Sequence, residues 1–156
     1  AMGANMLIGV EMNEYRVELA KKLGLVDYVF TPDEALEGIM KVTNGNGVER
    51  AIDASASDPG RQLAIRATRE WGKIAFVGEG GTCTFNPSPD IIHGQKTIYG
   101  SWVTSLWRME ELVERLVRWG IHPEDLITHE FPLEKAGEAY ALMAGGNCGK
   151  VAVVFD

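Results

Sequence analysis

The sequence is poor in cysteine: only Cys83 and Cys148 occur, 65 residues apart. A disulfide scaffold is therefore excluded as the source of stability, and a reduced, cytoplasmic protein is expected. Histidine is also scarce. His93, His122 and His129 have no Cys-x-x-Cys or His-x-x-x-His spacing beside them. Tetrahedral zinc draws on three or four protein ligands, so no metal site is expected from this chain alone. Basic residues are outnumbered, 15 against 22 acidic, for a net charge of −7. With no basic stripe to reverse that balance, nucleic acid is disfavoured as a partner. No apolar run approaches the roughly 18 residues of a membrane span. The opening AMGANMLIGVE lacks the basic n-region of a secretory signal. No Ser/His/Asp or Cys/His arrangement emerges, so no catalytic residue is assigned.

What is present is ordinary for a soluble globular protein: 46% apolar and 24% charged residues. A chain of 156 residues is long enough for one domain with a full core. Apolar runs alternate with helical patterns nearly throughout. MLIGV (6–10) is continuous and apolar, as a parallel strand covered on both faces must be. Tyr15, Val17, Leu19, Ala20 and Leu23 follow at largely helical spacing, with Gly24 at the C-cap position. DYVF (27–30) reads as a strand. Thr31-Pro32-Asp33 starts a helix with Ala35, Leu36, Ile39 and Met40 on its apolar face. TNGNG (43–47) is a turn and ERAIDAS (49–55) a third strand. A helix from Asp58-Pro59 to about Glu70 is expected to end at Trp71-Gly72, before the strand KIAFVG (73–78). GEGGTCTFNPS (78–88) is loop, KTIYGSW (96–102) a fifth strand, and 109–119 an amphipathic helix. Beyond Gly120 come an extended piece (126–131), a helix (133–144) and a last strand, KVAVVF (150–155). Such alternation with short connections predicts a parallel sheet with right-handed crossovers.

Several residues invite a functional reading. Glu11 ends the first strand, where a dinucleotide fold places an acid on the adenosine ribose; it is equally a solvated acid near a helix N-terminus. Arg16, in the first turns of the next helix, is either a second ribose or adenine contact or an exposed helical arginine. FVGEGG (76–81) follows a strand but opens no helix, since Pro87 and Pro89 follow. It is not the pyrophosphate fingerprint. It is a loop at a strand's carboxyl end, where open α/β sheets bind ligands. AGGNCGKV (144–151) nearly mimics a P-loop but has Ala144 and Val151 at its key positions, so it reads as a turn with Lys150 near a phosphate. YGSWVTS (99–105) either floors a nicotinamide site or packs Trp102 into the domain. Asp53 looks more like a loop organiser than an acid catalyst.

Together these segments resemble the zinc-dependent, medium-chain alcohol dehydrogenases. VEMNEYRVELAKKLG is similar to the second strand and helix of threonine and polyol dehydrogenases. GVERAIDASAS, WGKIAFVGEGG, KTIYGSW, THEFPLEKAGEAYALM and GKVAVVF fall in that family's order. The resemblance implies an α/β, Rossmann-type doubly wound parallel sheet that is incomplete, its first strand and glycine-rich turn missing. A Rossmann domain over 1–121 would be followed by a return segment of the catalytic domain over 122–156. It implies NAD as cofactor: Glu11 and Arg16 on the adenosine ribose, Val77, Gly78, Glu79, Ser101 and Trp102 along the nicotinamide, and Lys150 by the pyrophosphate. Zinc would serve the full-length enzyme through ligands outside this chain, on a small-molecule alcohol substrate, in a homo-oligomer. The segment alone is expected to be inactive. In a 3-2-1-4-5-6 sheet, losing the first strand would leave MLIGV and ERAIDAS each with an unpaired edge. Two other readings stay open, a non-catalytic nucleotide-binding or assembly module and a zinc-free relative similar to quinone oxidoreductases.

Overall fold

The structure is a computed structural model and describes residues 2–155. Strands and helices alternate from the start. β1 (Ile8–Val10) leads into α1 (Glu14–Leu23), β2 (Tyr28–Phe30) into α2 (Pro32–Val42), and β3 (Val48–Asp53) into α3 (Asp58–Ala67). β4 (Thr68–Phe76), β5 (Thr97–Gly100), α4 (Leu106–Trp119), β6 (Ile127–Pro132), α5 (Ala136–Gly145) and β7 (Lys150–Val154) complete the series. Every strand pair is parallel, as the alternation predicts. β1 pairs with β2, β3-β4-β5 form a three-stranded sheet, and β6 pairs with β7. Among the described residues, β1 and β3 each pair on one side only, so the unpaired edges expected for MLIGV and ERAIDAS are present. No helix of the described residues is long and apolar enough to cross a membrane.

The chain divides into two compact units. One joins the residues up to Phe30 with those from Thr104 onward; the other is Thr31–Val103. Within the second unit, α2 packs on α3, and Ala35, Ile39, Ile65, Ala67 and Ile74 are buried. Within the first, Val17 of α1, Ala139 of α5 and Cys148 are buried.

Local chemistry sets the helix ends. The Asn13 side chain accepts from the Arg16 N–H at 3.2 Å and caps α1. Gly24 closes the same helix in the left-handed region, φ 61°, which costs a glycine no Cβ clash. Pro32 occupies the first turn of α2, where its missing N–H is no loss, and Glu34 accepts from the Thr31 N–H at 3.3 Å.

The structure differs from expectation mainly at one junction. α3 ends at Ala67 and β4 already begins at Thr68, so Trp71-Gly72 lies inside the strand instead of ending the helix. Thr68 turns extended and its hydroxyl donates to the Ala64 carbonyl at 2.7 Å, closing the helix early. Pairing then slips from Val48↔Thr68 to Arg50↔Lys73, a register shift that absorbs the extra residues of β4. Trp71 sits at φ 60° and its N–H donates to the Gly94 carbonyl at 2.8 Å. Gly72 is required there, because a Cβ would stand 2.8 Å from the Arg69 carbonyl oxygen. Smaller differences follow the same theme of local turns. β1 is shorter than 6–10, α4 begins one turn ahead of Met109, and a 3-10 turn (Leu133–Lys135) precedes α5. A π-helical turn (Ser88–Ile92) occupies a stretch beyond the glycine loop that carried no expected element.

Candidate functional site

In the first unit, Glu11 directly follows β1. Its N–H donates to the Phe30 carbonyl at 3.2 Å, extending the strand ladder by one bond. Its side chain is half-buried and turns back on its own loop: one carboxylate oxygen, Oε1, accepts from the Met12 and Asn13 N–H groups, both at 2.9 Å. Oε2 accepts no hydrogen bond from the described residues. The loop therefore fixes the carboxylate's orientation and leaves one anionic oxygen available, which suits a pair of vicinal hydroxyls. Asn13 then caps α1, so one short loop holds both the acid and the helix start.

Arg16 lies in the first turn of α1, half-buried, and its Nε donates to the Cys148 carbonyl at 3.2 Å. That bond joins α1 to the segment before β7. Gly146 takes a left-handed conformation (φ 81°), and Gly149 has no room for a side chain: a Cβ would stand 2.7 Å from the Leu126 carbonyl oxygen. AGGNCGKV is therefore a packed turn, in accord with its failed P-loop pattern. Lys150 follows it, exposed, at the first position of β7. The structure thus brings Arg16 to the segment that carries Lys150.

In the second unit, the remaining candidates share one sheet edge. Val77, Gly78 and Glu79 follow β4, and Ser101 and Trp102 follow β5. The Ser101 N–H donates to the Phe76 carbonyl at 3.0 Å, which locks the two strand ends side by side. Trp102 is 68% exposed instead of packed into the unit. The Val77 and Gly78 N–H groups both donate to the Asp53 carbonyl, at 2.9 and 3.1 Å, so the end of β3 joins the same edge.

Asp53 organises this edge. Its carboxylate is buried and accepts from the Ser55 N–H (3.1 Å), the Ser55 hydroxyl (2.6 Å) and the Ala56 N–H (3.3 Å). Arg61 on α3 stands beside it, with Nε 3.5 Å from Oδ2, an ion pair without a hydrogen bond. The sequence offered no sign of Arg61. A helical arginine reads as solvated, and only the fold reveals that it is buried against an acid from the preceding strand. Cys83 lies close to this group. Burial pushes its thiol up, with Asp58 and Asp53 adding to the rise and Arg61 opposing it.

A polar cleft of about 610 Å³ opens at the other end of these strands, with Gly45, Thr68, Arg69, His93 and Lys96 among its lining residues. Its cations are already engaged. Arg69 pairs with Glu49 at 2.5 Å, and the Lys96 ammonium donates to the Ile65 carbonyl at 2.7 Å. The carboxyl edge, where open α/β sheets bind ligands, is the better ligand platform. Among the described residues there is no group of three or more His, Cys, Asp or Glu side chains able to hold a metal ion.

Comparison with known proteins points the same way. The family model for zinc-binding dehydrogenases matches residues 1–118. An uncharacterised zinc-type alcohol dehydrogenase-like protein of Escherichia coli (strain K12) is 44% identical over 98% of this chain. An L-threonine 3-dehydrogenase of Pyrococcus horikoshii is 33% identical over 97% of it. The crystal structure of benzyl alcohol dehydrogenase from Acinetobacter calcoaceticus superposes with a TM-score of 0.84 at 27% identity, covering 98% of this chain. In each case the chain spans 44% of the other protein's length.

Proposed function

The chain belongs to the zinc-binding dehydrogenase family, and from that premise we propose that it is the carboxyl-terminal, NAD-binding part of an alcohol-oxidising enzyme. The substrate class is a small alcohol: a polyol, a secondary alcohol or a threonine-like compound. When bound, NAD supplies the hydride acceptor. What this chain contributes is binding and orientation. In this reading Glu11 and Arg16 hold the adenosine ribose, and Lys150 approaches the pyrophosphate. Val77, Gly78, Glu79, Ser101 and Trp102 form the wall against which the nicotinamide lies. The dinucleotide-binding part would run to about residue 121, with 122–156 returning to the catalytic part. The parent enzyme would be cytoplasmic and would pair with copies of itself.

Zinc does not fit the described residues, which offer no cluster of ligands. Its ligands would lie in parts of the protein outside this chain. We infer that the segment alone is inactive. NAD-dependent alcohol oxidation by the purified 156-residue chain would overturn that statement.

The observation that carries the cofactor reading is the Glu11 carboxylate, oriented by two loop amides through one oxygen. An anion in that position accepts from ribose hydroxyls and repels a 2′-phosphate. Titration with NAD and with NADP tests it. Tighter binding of NAD is expected; tighter binding of NADP would contradict the assignment.

A further inference from the structure

The loop after β4 has little to hold it by itself. Gly80 and Gly81 both adopt left-handed backbone conformations, φ 87° and 63°, which are accessible to glycine at little cost and impose no rigidity. Its supports come from α3. The Asp58 carboxylate accepts from the Thr84 N–H at 2.6 Å, just beyond the loop. The Arg61 guanidinium reaches into it, donating from Nη2 to the Gly78 carbonyl at 2.8 Å and from Nη1 to the Thr82 carbonyl at 3.0 Å. Those two carbonyls bracket the loop, so a single planar fork spans it from end to end. The ring of Phe76 lies 5.5 Å from the guanidinium carbon and supports its flat face.

The arrangement leaves no slack on the other side. A Cβ on Gly78 would stand 2.5 Å from the Ala56 nitrogen, and one on Gly81 would run into the Ala56 carbonyl oxygen. A Cβ on Gly60 would meet the Ser57 hydroxyl at 2.9 Å and the Asp53 carboxylate at 3.2 Å. The loop after β3, organised by Asp53, and the loop after β4, spanned by Arg61, are thus packed backbone against backbone. Asp53 supplies the negative charge beside the buried Arg61 guanidinium, and Arg61 carries that order across to the next loop. Burying a charge pair is a poor route to stability in itself. Here it fixes the shape of a segment that glycine would otherwise leave loose.

We propose that Arg61 is a positioning residue for the nicotinamide end of the cofactor: with Asp53 it forms a clamp that holds the 78–82 loop in its binding shape. The inference rests on the dehydrogenase reading above. It predicts a split that a general loss of structure would not produce. The nicotinamide half of NAD depends on the clamp, whereas the ADP-ribose half depends on Glu11.

The test compares the chain with its Arg61→Met and Arg61→Lys variants. Amide hydrogen exchange is followed by mass spectrometry, and NAD and ADP-ribose are titrated with ligand-observed NMR. For Arg61→Met, exchange in peptides covering 78–84 is expected to rise about tenfold or more, with peptides of α1 unchanged. The NAD to ADP-ribose affinity ratio is expected to fall about fivefold or more while ADP-ribose binding stays within about twofold. Arg61→Lys keeps the charge beside Asp53 but has no fork to span both carbonyls, so it should fall between. If the methionine variant does not fold, the lysine variant decides, with the same split in reduced size. Unchanged exchange in 78–84, or equal weakening of both ligands, overturns the proposal. Absence of binding of either ligand by the parent chain would instead sink the NAD-binding reading of this chain and the cofactor role with it. The clamp would then be judged on exchange alone, where unchanged values refute it.

Discussion

Two acids close two parallel strands in this molecule, and they have opposite fates. Glu11 follows β1 with one oxygen spent on its own loop and the other carrying no hydrogen bond from the described residues. Asp53 ends β3 buried, both oxygens occupied by the following turn and by Arg61. From the sequence both are acids at strand ends. The difference is in the partners: the Asp53 oxygens are consumed by the fold, whereas Glu11 keeps one oxygen over, which is what the proposed ribose contact requires.

The sharpest way to test that contrast is to neutralise each acid. Asp53→Asn leaves the buried Arg61 charge without its counter-ion, and a loss of about 3–5 kcal/mol in urea unfolding is expected. A loss below about 1 kcal/mol would move Asp53 out of the scaffold class. Next in size is Gly81→Ala, which adds a Cβ to a left-handed residue already touching Ala56. Roughly 1–3 kcal/mol of destabilisation should follow, whereas Gly80→Ala, where nothing lies within 4 Å of the added Cβ, should cost about 1 kcal/mol from the φ alone. Glu11→Gln reverses the pattern. Its unfolding free energy should change by less than about 1 kcal/mol, since the amide oxygen still accepts from the loop. NAD affinity should drop about tenfold or more, the size of a lost charged hydrogen bond. A large stability loss with unchanged affinity would erase the distinction.

The smallest effect is read at Cys83. Burial and the two aspartates hold its thiol above the ordinary value of 9.0. At pH 8 the folded chain then carries less thiolate than a free cysteine, and alkylation, mapped by peptide mass, should be slower than for a model thiol. The rate should climb only as pH passes the ordinary cysteine range, and denaturant should abolish the difference. Alkylation at the model rate would mean that the loop beside the clamp is open.

Much of this architecture was readable from local signals. Gly24 after an apolar stripe, and Thr31-Pro32 before one, mark ends that depend only on neighbours a few residues away. The α3–β4 junction was misread because Trp71-Gly72 looks like a helix stop. Its actual role is set by the Gly94 carbonyl and by the slip against β3, neither visible in the local sequence. The parallel class of the sheets followed from alternation alone. Arg61 was out of reach for the opposite reason: nothing in DPGRQLAIRA says which residue faces Asp53 until the strand and helix are packed. Asp53 itself was legible as a loop organiser, from its position at a strand end.

The bond from Arg16 to the Cys148 carbonyl spans 132 residues, and it sets a timetable. The unit made of Thr31–Val103 is continuous and has all of its chain as soon as residue 103 leaves the ribosome. The other unit cannot close until α1 meets the turn before β7, which is made 132 residues later. Closing so long a loop is slow relative to local contacts. The clamped glycine loop therefore has all its partners in the chain before the packing behind the helix of Glu11 can form.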